Sequence, residues 1–221
     1  MKLVAVIPAR DAAGTIGDVV DSLHARFPES EVVVVDDGST DETGARARGA
    51  GAIVVRHEVN QGKGAALQSG FDEALRRGAD AVLALDADGQ HDVEAAPGLI
   101  AALADSDLVI GSRERDRTGM PWLRRKTNDV TTWWTSYLAG QRVPDSQSGY
   151  RAIKASVIRA VRPVSRRFEY ESEFLVRAAR QGFRIGQAPI PTLYNAPGSH
   201  IHPVRDTVRF IRLVLRLLAS R

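Results

Sequence analysis

Asp80-Ala81-Val82-Leu83-Ala84-Leu85-Asp86-Ala87-Asp88-Gly89-Gln90-His91 joins a short apolar run directly to a pair of carboxylates. After Asp80, residues 81–85 have the unbroken apolar character of a strand buried on both faces, and the segment then delivers two carboxylates one residue apart. In an open α/β sheet, ligands bind beyond the carboxyl ends of the strands. Mg²⁺ and Mn²⁺ prefer hard oxygen ligands and take only one or two carboxylates, leaving the rest of the shell to phosphate and water. Asp86 and Asp88 fit that role for an ion holding a diphosphate, and Gln90 adds a neutral oxygen.

Working outward, apolar runs at 3–7, 31–35, 52–55, 81–85 and 108–110 alternate with helical periods at 14–26, 41–49, 64–77 and 93–103. This alternation predicts an α/β fold: a Rossmann-like, mostly parallel, doubly wound sheet with right-handed crossovers. Polar clusters follow successive strands: Pro8-Ala9-Arg10-Asp11, Asp36-Asp37-Gly38-Ser39-Thr40-Asp41, Asn60-Gln61-Gly62-Lys63-Gly64 and the Asp86-Ala87-Asp88 segment. Each alone reads as a turn or helix cap; their coincidence at strand ends predicts one nucleotide-diphosphate site. The glycines match neither GxGxxG nor GxxxxGK[ST], which argues against a dinucleotide enzyme and a P-loop NTPase.

With 221 residues, 43% of them hydrophobic, the chain is long enough for one full core. It has no cysteine, which excludes disulfides and thiolate metal sites and agrees with a reducing compartment. The first apolar run is too short for a signal peptide, and no uncharged stretch approaches the roughly 20 residues of a membrane span. Residues 1–110 carry 9 Lys plus Arg against 19 Asp plus Glu, whereas residues 111–221 carry 21 against 8. The basic half is expected to attract anions: nucleic acid is one candidate partner, and a phosphorylated substrate or an anionic membrane surface is another. In the C-terminal segment, Arg205, Arg209, Arg212 and Arg216 recur on one helical face beside Val208, Phe210, Ile211, Val214, Leu215 and Leu218, predicting a basic amphipathic helix over 204–221. Trp122, Trp133, Trp134 and Tyr137 have the amphipathic chemistry of a bilayer edge. Glu169, Glu171 and Glu173 read as helix-capping and surface-pairing residues, and His91, His200 and His202 lack the spacing of a metal site.

Taken together, VIPAR (6–10), VVVDDGSTD (33–41), NQGKGAAL (60–67), DADGQH (86–91), GSR (111–113), DSQSGYR (145–151), FEYESE (168–173) and SHIHPVRDTVRF (199–210) resemble, in order, the inverting GT-A glycosyltransferases of family 2, in particular polyprenyl-phosphate mannose and glucose synthases. The resemblance implies a catalytic domain over 1–203, with a nucleotide-sugar half (1–110) and an acceptor half (111–203), followed by the helix at 204–221. It also implies a Mg²⁺ or Mn²⁺ cofactor, a GDP-mannose or UDP-glucose type donor and a polyprenyl phosphate acceptor. Location would be cytoplasmic, at the inner face of the cell membrane.

By motif, Pro8, Arg10, Asp36 and Asp37 look like the base and ribose pocket, with Lys63 nearby. Asp86, Ala87, Asp88 and Gln90 look like the diphosphate and metal segment. Arg113, Arg124 and Asn128 fall where similar enzymes hold the acceptor phosphate, and Asp145 and Gln147 in the loop beneath the sugar. Asp11-Ala12 departs from the family's common Asn-Glu, so a donor contact made by that glutamate is absent. If the acceptor were a soluble sugar hydroxyl, Asp145 would be the base. A sugar nucleotidyltransferase is the remaining alternative.

Overall fold

The computed structural model describes residues 1–112, 122–191 and 203–219, with side chains in the last two segments from 126 and 207 onward. The elements are β1 (Leu3–Ala9), α1 (Ile16–Arg26), β2 (Glu31–Asp37), α2 (Thr43–Gly49), β3 (Ile53–His57), α3 (Lys63–Arg76), β4 (Ala81–Ala84), α4 (Ala96–Ala101), β5 (Leu108–Ser112), α5 (Trp122–Ala139), β6 (Arg151–Lys154), α6 (Ala155–Ala160), α7 (Glu169–Arg180), β7 (Ile185–Pro189) and α8 (Pro203–Ala219). The expected alternation holds through β5. Where one helix was expected over 93–103, two 3₁₀ turns flank the short α4, which has proline in its first turn.

The strands form one sheet of order β3-β2-β1-β4-β6-β5-β7. All pairings are parallel except those of β6, which lies antiparallel between β4 and β5. Period-two alternation splits the apolar strand residues between two cores. Val4, Val6, Val33, Val35, Val82 and Ile110 face the layer of α3, α5, α6, α7 and α8. Ala5, Ile7, Val32, Val34, Leu83 and Val109 face α1, α2 and α4. Val32 to Val35 are all essentially inaccessible, which is why β2 reads as a continuous apolar run; each such valine contributes ~1.5–3 kcal/mol over an exposed one.

α8 packs on α5 and α7 through Phe210, Leu213, Val214 and Leu217. Arg180, on α7, donates to the carbonyls of Leu138 and Leu217 and so ties the C-terminal ends of α5 and α8 together. Two glutamates of α7 depart from expectation: Glu171 and Glu173 are 7% and 0% exposed. Their carboxylates lie inside the protein: Glu171 pairs with Lys63, and Glu173 accepts from the Ser165 N–H and from Arg177 and Arg216, which reach in from the surface.

Candidate active site

The carboxyl end of β4 meets the helix α3 amino end and the loop before β6. Leu85 still donates to the Val6 carbonyl, so the sheet delivers Asp86 at a fixed height. Thr15 Oγ1 donates to the Ala87 carbonyl at 2.6 Å, and Gly89 at φ +70° turns the chain away. Asp88 is exposed; its Oδ1 accepts from the Gln90 backbone N–H at 3.0 Å. Asp88 is open to solvent and Asp86 half-buried beside it, and both are hard oxygen donors of the kind that suit a Mg²⁺- or Mn²⁺-sized ion completed by phosphate and water. Among the described residues no cluster of three or more acidic or histidine side chains offers a self-sufficient cage.

Asp86 is not alone. Lys63 Nζ lies 2.7 Å from Asp86 Oδ1 and 3.1 Å from Glu171 Oε2. His91 Nε2 is 3.5 Å from Asp86 Oδ2, its ring packed on Tyr150 at 4.8 Å. Burial opposes the charge on Asp86, but Lys63 and His91 outweigh it and hold the carboxyl far below the usual range. Burial likewise disfavours the Lys63 ammonium, and Asp86 and Glu171 raise its pKa above that of an ordinary lysine.

Local sequence explains the placement of Lys63. Gly62 has φ +102°, and a Cβ there would lie 2.7 Å from the Arg166 carbonyl oxygen; a Cβ on Gly64 would collide with Tyr170. Only glycines let α3 start this close to α7.

The DSQSG loop reaches the same point. A Cβ on Gly149 would sit 2.6 Å from Asp86 Oδ2. Arg151, 4% exposed, donates to the carbonyls of Ser148 (2.9 Å) and Ser146 (3.0 Å), and its Nη2 lies 3.6 Å from Glu171 Oε1. Asp86, Lys63, Glu171, Arg151 and the loop thus form one chain of charges. Gly149→Ala is expected to push the Asp86 carboxylate aside and cost at least ~10-fold in turnover, with the fold retained. Steady-state kinetics beside a thermal melt would check it, and full activity would show that the contact is slack.

Asp36 and Asp37, expected in the base and ribose pocket, are 0% and 4% exposed, and their oxygens have protein donors. Asp36 accepts from the Ser39 N–H and pairs with Arg56 at 2.9 Å. Asp37 accepts from the Gln61 and Gly62 N–H groups, both at 2.8 Å, and bonds His57 Nδ1 at 2.7 Å. Through these bonds they fix the loops that follow β2 and β3. Pro8 is half-buried and Arg10 exposed at the end of β1. Asp11, at φ +47°, accepts from Thr40 and locks this loop to the one after β2.

Of the residues expected toward the acceptor, Asp145 is buried and accepts from the Gln147 N–H at 3.1 Å, while Gln147 is exposed and Asn128 half-buried on α5. Arg113 and the Arg124 side chain lie outside the described residues, as do His200 and His202. The Ser148 hydroxyl and the Asn60 side-chain oxygen are buried without a protein partner among the described residues. Such buried orphans fit a water or another polar group. Glu171 and Arg151 were not anticipated as site residues. The one available signal was their membership of FEYESE and DSQSGYR, since nothing in the spacing brings residues 63, 86, 151 and 171 together.

The glycosyl transferase family 2 model matches residues 4–161. The chain belongs to that family. This family 2 glycosyltransferase is 33% identical over 201 residues to the undecaprenyl-phosphate mannosyltransferase of Micrococcus luteus, covering 86% of this chain and 83% of the relative. It is 31% identical over 202 residues to the polyprenol monophosphomannose synthase of Mycolicibacterium smegmatis, covering 86% and 76%. In fold, it matches the glucosyl-3-phosphoglycerate synthase of Mycobacterium tuberculosis, solved with Mn²⁺, uridine diphosphate and phosphoglyceric acid, at a TM-score of 0.74 and 22% identity, covering 99% of this chain and 78% of that one.

Proposed function

We propose that this family 2 enzyme moves a hexose, with inversion, from a nucleotide sugar to a polyprenyl phosphate. The observation that carries the reading is the meeting of Asp86, Lys63 and the DSQSG loop at the end of β4, in a chain whose relatives at 31–33% identity over most of its length act on polyprenyl phosphates.

In this reading, Asp86 and Asp88, with Gln90, hold Mg²⁺ or Mn²⁺, which when bound neutralises charge on the departing diphosphate. Lys63 adds a fixed positive charge beside the same oxygens. Pro8 and Arg10 line the nucleoside pocket that Asp36 and Asp37 frame, and Ala87 lies against the nucleotide. Arg113, Arg124 and Asn128 orient the acceptor phosphate, while Asp145 and Gln147 hold the loop beneath the sugar. A phosphate monoester with a second pKa of ~6 is already largely ionised near neutrality, so the nucleophile needs positioning and not a strong base. Residues 1–110 then serve the donor and 111–203 the acceptor.

Transfer of labelled sugar from GDP-mannose and from UDP-glucose tests this. An organic-extractable product that requires polyprenyl phosphate and is abolished by EDTA is expected. Product confined to the aqueous phase would point to a soluble acceptor and overturn the lipid reading.

A lipid acceptor calls for docking at the inner face of the membrane, since no described helix is long and apolar enough to cross one. α8 supports this with an outward apolar row, Val208, Ile211, Leu215 and Leu218, alongside its buried seam. At about 100° per residue, Arg209, Arg212 and Arg216 follow on the next arc. α5, packed beside it, exposes Val130, Trp133 and Tyr137, the two rings stacked 5.8 Å apart. Ile211→Gln with Leu215→Gln should lower co-sedimentation with anionic vesicles several-fold, as each buried apolar side chain contributes ~1.5–3 kcal/mol; unchanged sedimentation would exclude this face.

A further inference from the structure

We infer that Lys63 is a built-in counter-ion that competes with the divalent cation for Asp86, and that Glu171 is a positioning residue, the second seat to which the ammonium withdraws when the cation binds. The inference rests on the metal reading proposed above. It concerns the order in which charges occupy the site.

The ammonium sits between two carboxylates, 2.7 Å from Asp86 Oδ1 and 3.1 Å from Glu171 Oε2. A divalent cation held on Asp86 through Oδ1 would occupy the oxygen that Lys63 already holds. Two cations on one oxygen repel strongly in a site of low effective dielectric, so one must retreat. The remaining oxygen of Asp86 offers no easy alternative: it faces His91 Nε2 at 3.5 Å and abuts Gly149.

Lys63 has somewhere to go. Glu171 is 7% exposed, so solvent does little to dissipate its charge, and its other oxygen is 3.6 Å from Arg151. Arg151 is itself clamped by the carbonyls of Ser146 and Ser148. The second seat is therefore rigid, and a shift of the lysine head toward it frees Asp86 without leaving a buried charge unpaired. Loading follows: a diphosphate attracts both cations at once, and metal and nucleotide bind as a pair.

The test is the Mn²⁺ affinity of the full chain without nucleotide, read from the electron paramagnetic resonance signal of the free ion. Lys63→Met, which removes the competitor, is expected to tighten Mn²⁺ binding about tenfold or more, and Lys63→Gln to act in the same direction. Glu171→Gln, which leaves the lysine to Asp86 alone, is expected to weaken it about threefold or more. Unchanged or weaker binding in both Lys63 variants would overturn the competition, and unchanged or tighter binding in Glu171→Gln would overturn the second seat. A merely structural role would weaken binding in all three, so the opposed signs separate the two accounts. Wild-type protein given Mn²⁺ with GDP or UDP supplies the independent arm. Failure to bind there would sink the metal reading itself, while binding there with the wrong signs in the variants would sink only this inference.

Discussion

Asp88→Ala is expected to lower sugar transfer by roughly 10³-fold or more while leaving the melting temperature within about a degree of the parent. A bound cation supplies several kcal/mol of charge stabilisation, and each ~1.4 kcal/mol is a factor of ten in rate. Asp88 is a cleaner probe than Asp86. It is exposed, and its side chain accepts from the Gln90 N–H in a local turn. Removing Asp86 would leave Lys63 with Glu171 alone and let the Gly149 loop collapse inward, mixing a structural loss with a chemical one. Transfer rates measured across a Mn²⁺ titration check the assignment. A variant that retains parental turnover at low Mn²⁺ would remove Asp88 from the metal site.

Glu173→Ala is expected to produce the largest loss of stability. Glu173 is fully buried and accepts from four donors: the Ser165 N–H at 3.0 Å, the Val164 N–H at 3.2 Å, Arg177 at 2.7 Å and Arg216 at 2.8 Å. The last contact fastens α8 to α7. Both arginines are more than a third exposed and can turn to water, but the two backbone donors cannot all do so, giving a cost of about 2–4 kcal/mol. For a chain of this size that is a fall in Tm of roughly 5–15 °C.

The pH dependence has a definite sign. Burial opposes ionisation of Glu173, yet Ser165 and Arg177 outweigh it, and the pKa is lowered. A carboxyl lowered in the native state contributes stability that is present above its unfolded value near ~4.3 and lost as pH falls through the native value. The gap between parent and Glu173→Ala should therefore be full at neutrality and narrow in acid. Denaturant melts at pH 7 and below pH 4 measure it, and a constant gap would contradict the ionised assignment.

Much of this was legible in the chain. β1, β2, β4 and β5 are buried on both faces, so their apolar runs are long and bounded by turn residues. Asp86-Ala87-Asp88 is legible for the same reason: it directly ends such a run. β6 and β7 were not visible. Arg151-Ala152-Ile153-Lys154 is four residues with a charge at either end, and its arginine is buried only because Ser146, Ser148 and Glu171 surround it. Glu171 and Glu173 misled for a related reason: in a one-dimensional pattern a glutamate two residues from another reads as solvent-facing, and only distant donors such as Lys63 and Arg216 make its burial tolerable. The donors that Asp36 and Asp37 hold, Ser39, Arg56, Gln61, Gly62 and His57, were not legible either, because most of these pairings lie far apart in sequence.

The most direct measurement is a crystal soaked with Mn²⁺ and a nucleoside diphosphate, with the ion located by its anomalous scattering. The account predicts one strong peak ligated by Asp86, Asp88 and both phosphates, with the Lys63 ammonium drawn off Asp86. A peak bound to the diphosphate but held by other residues, or a nucleotide lodged away from the β4 end, would contradict it.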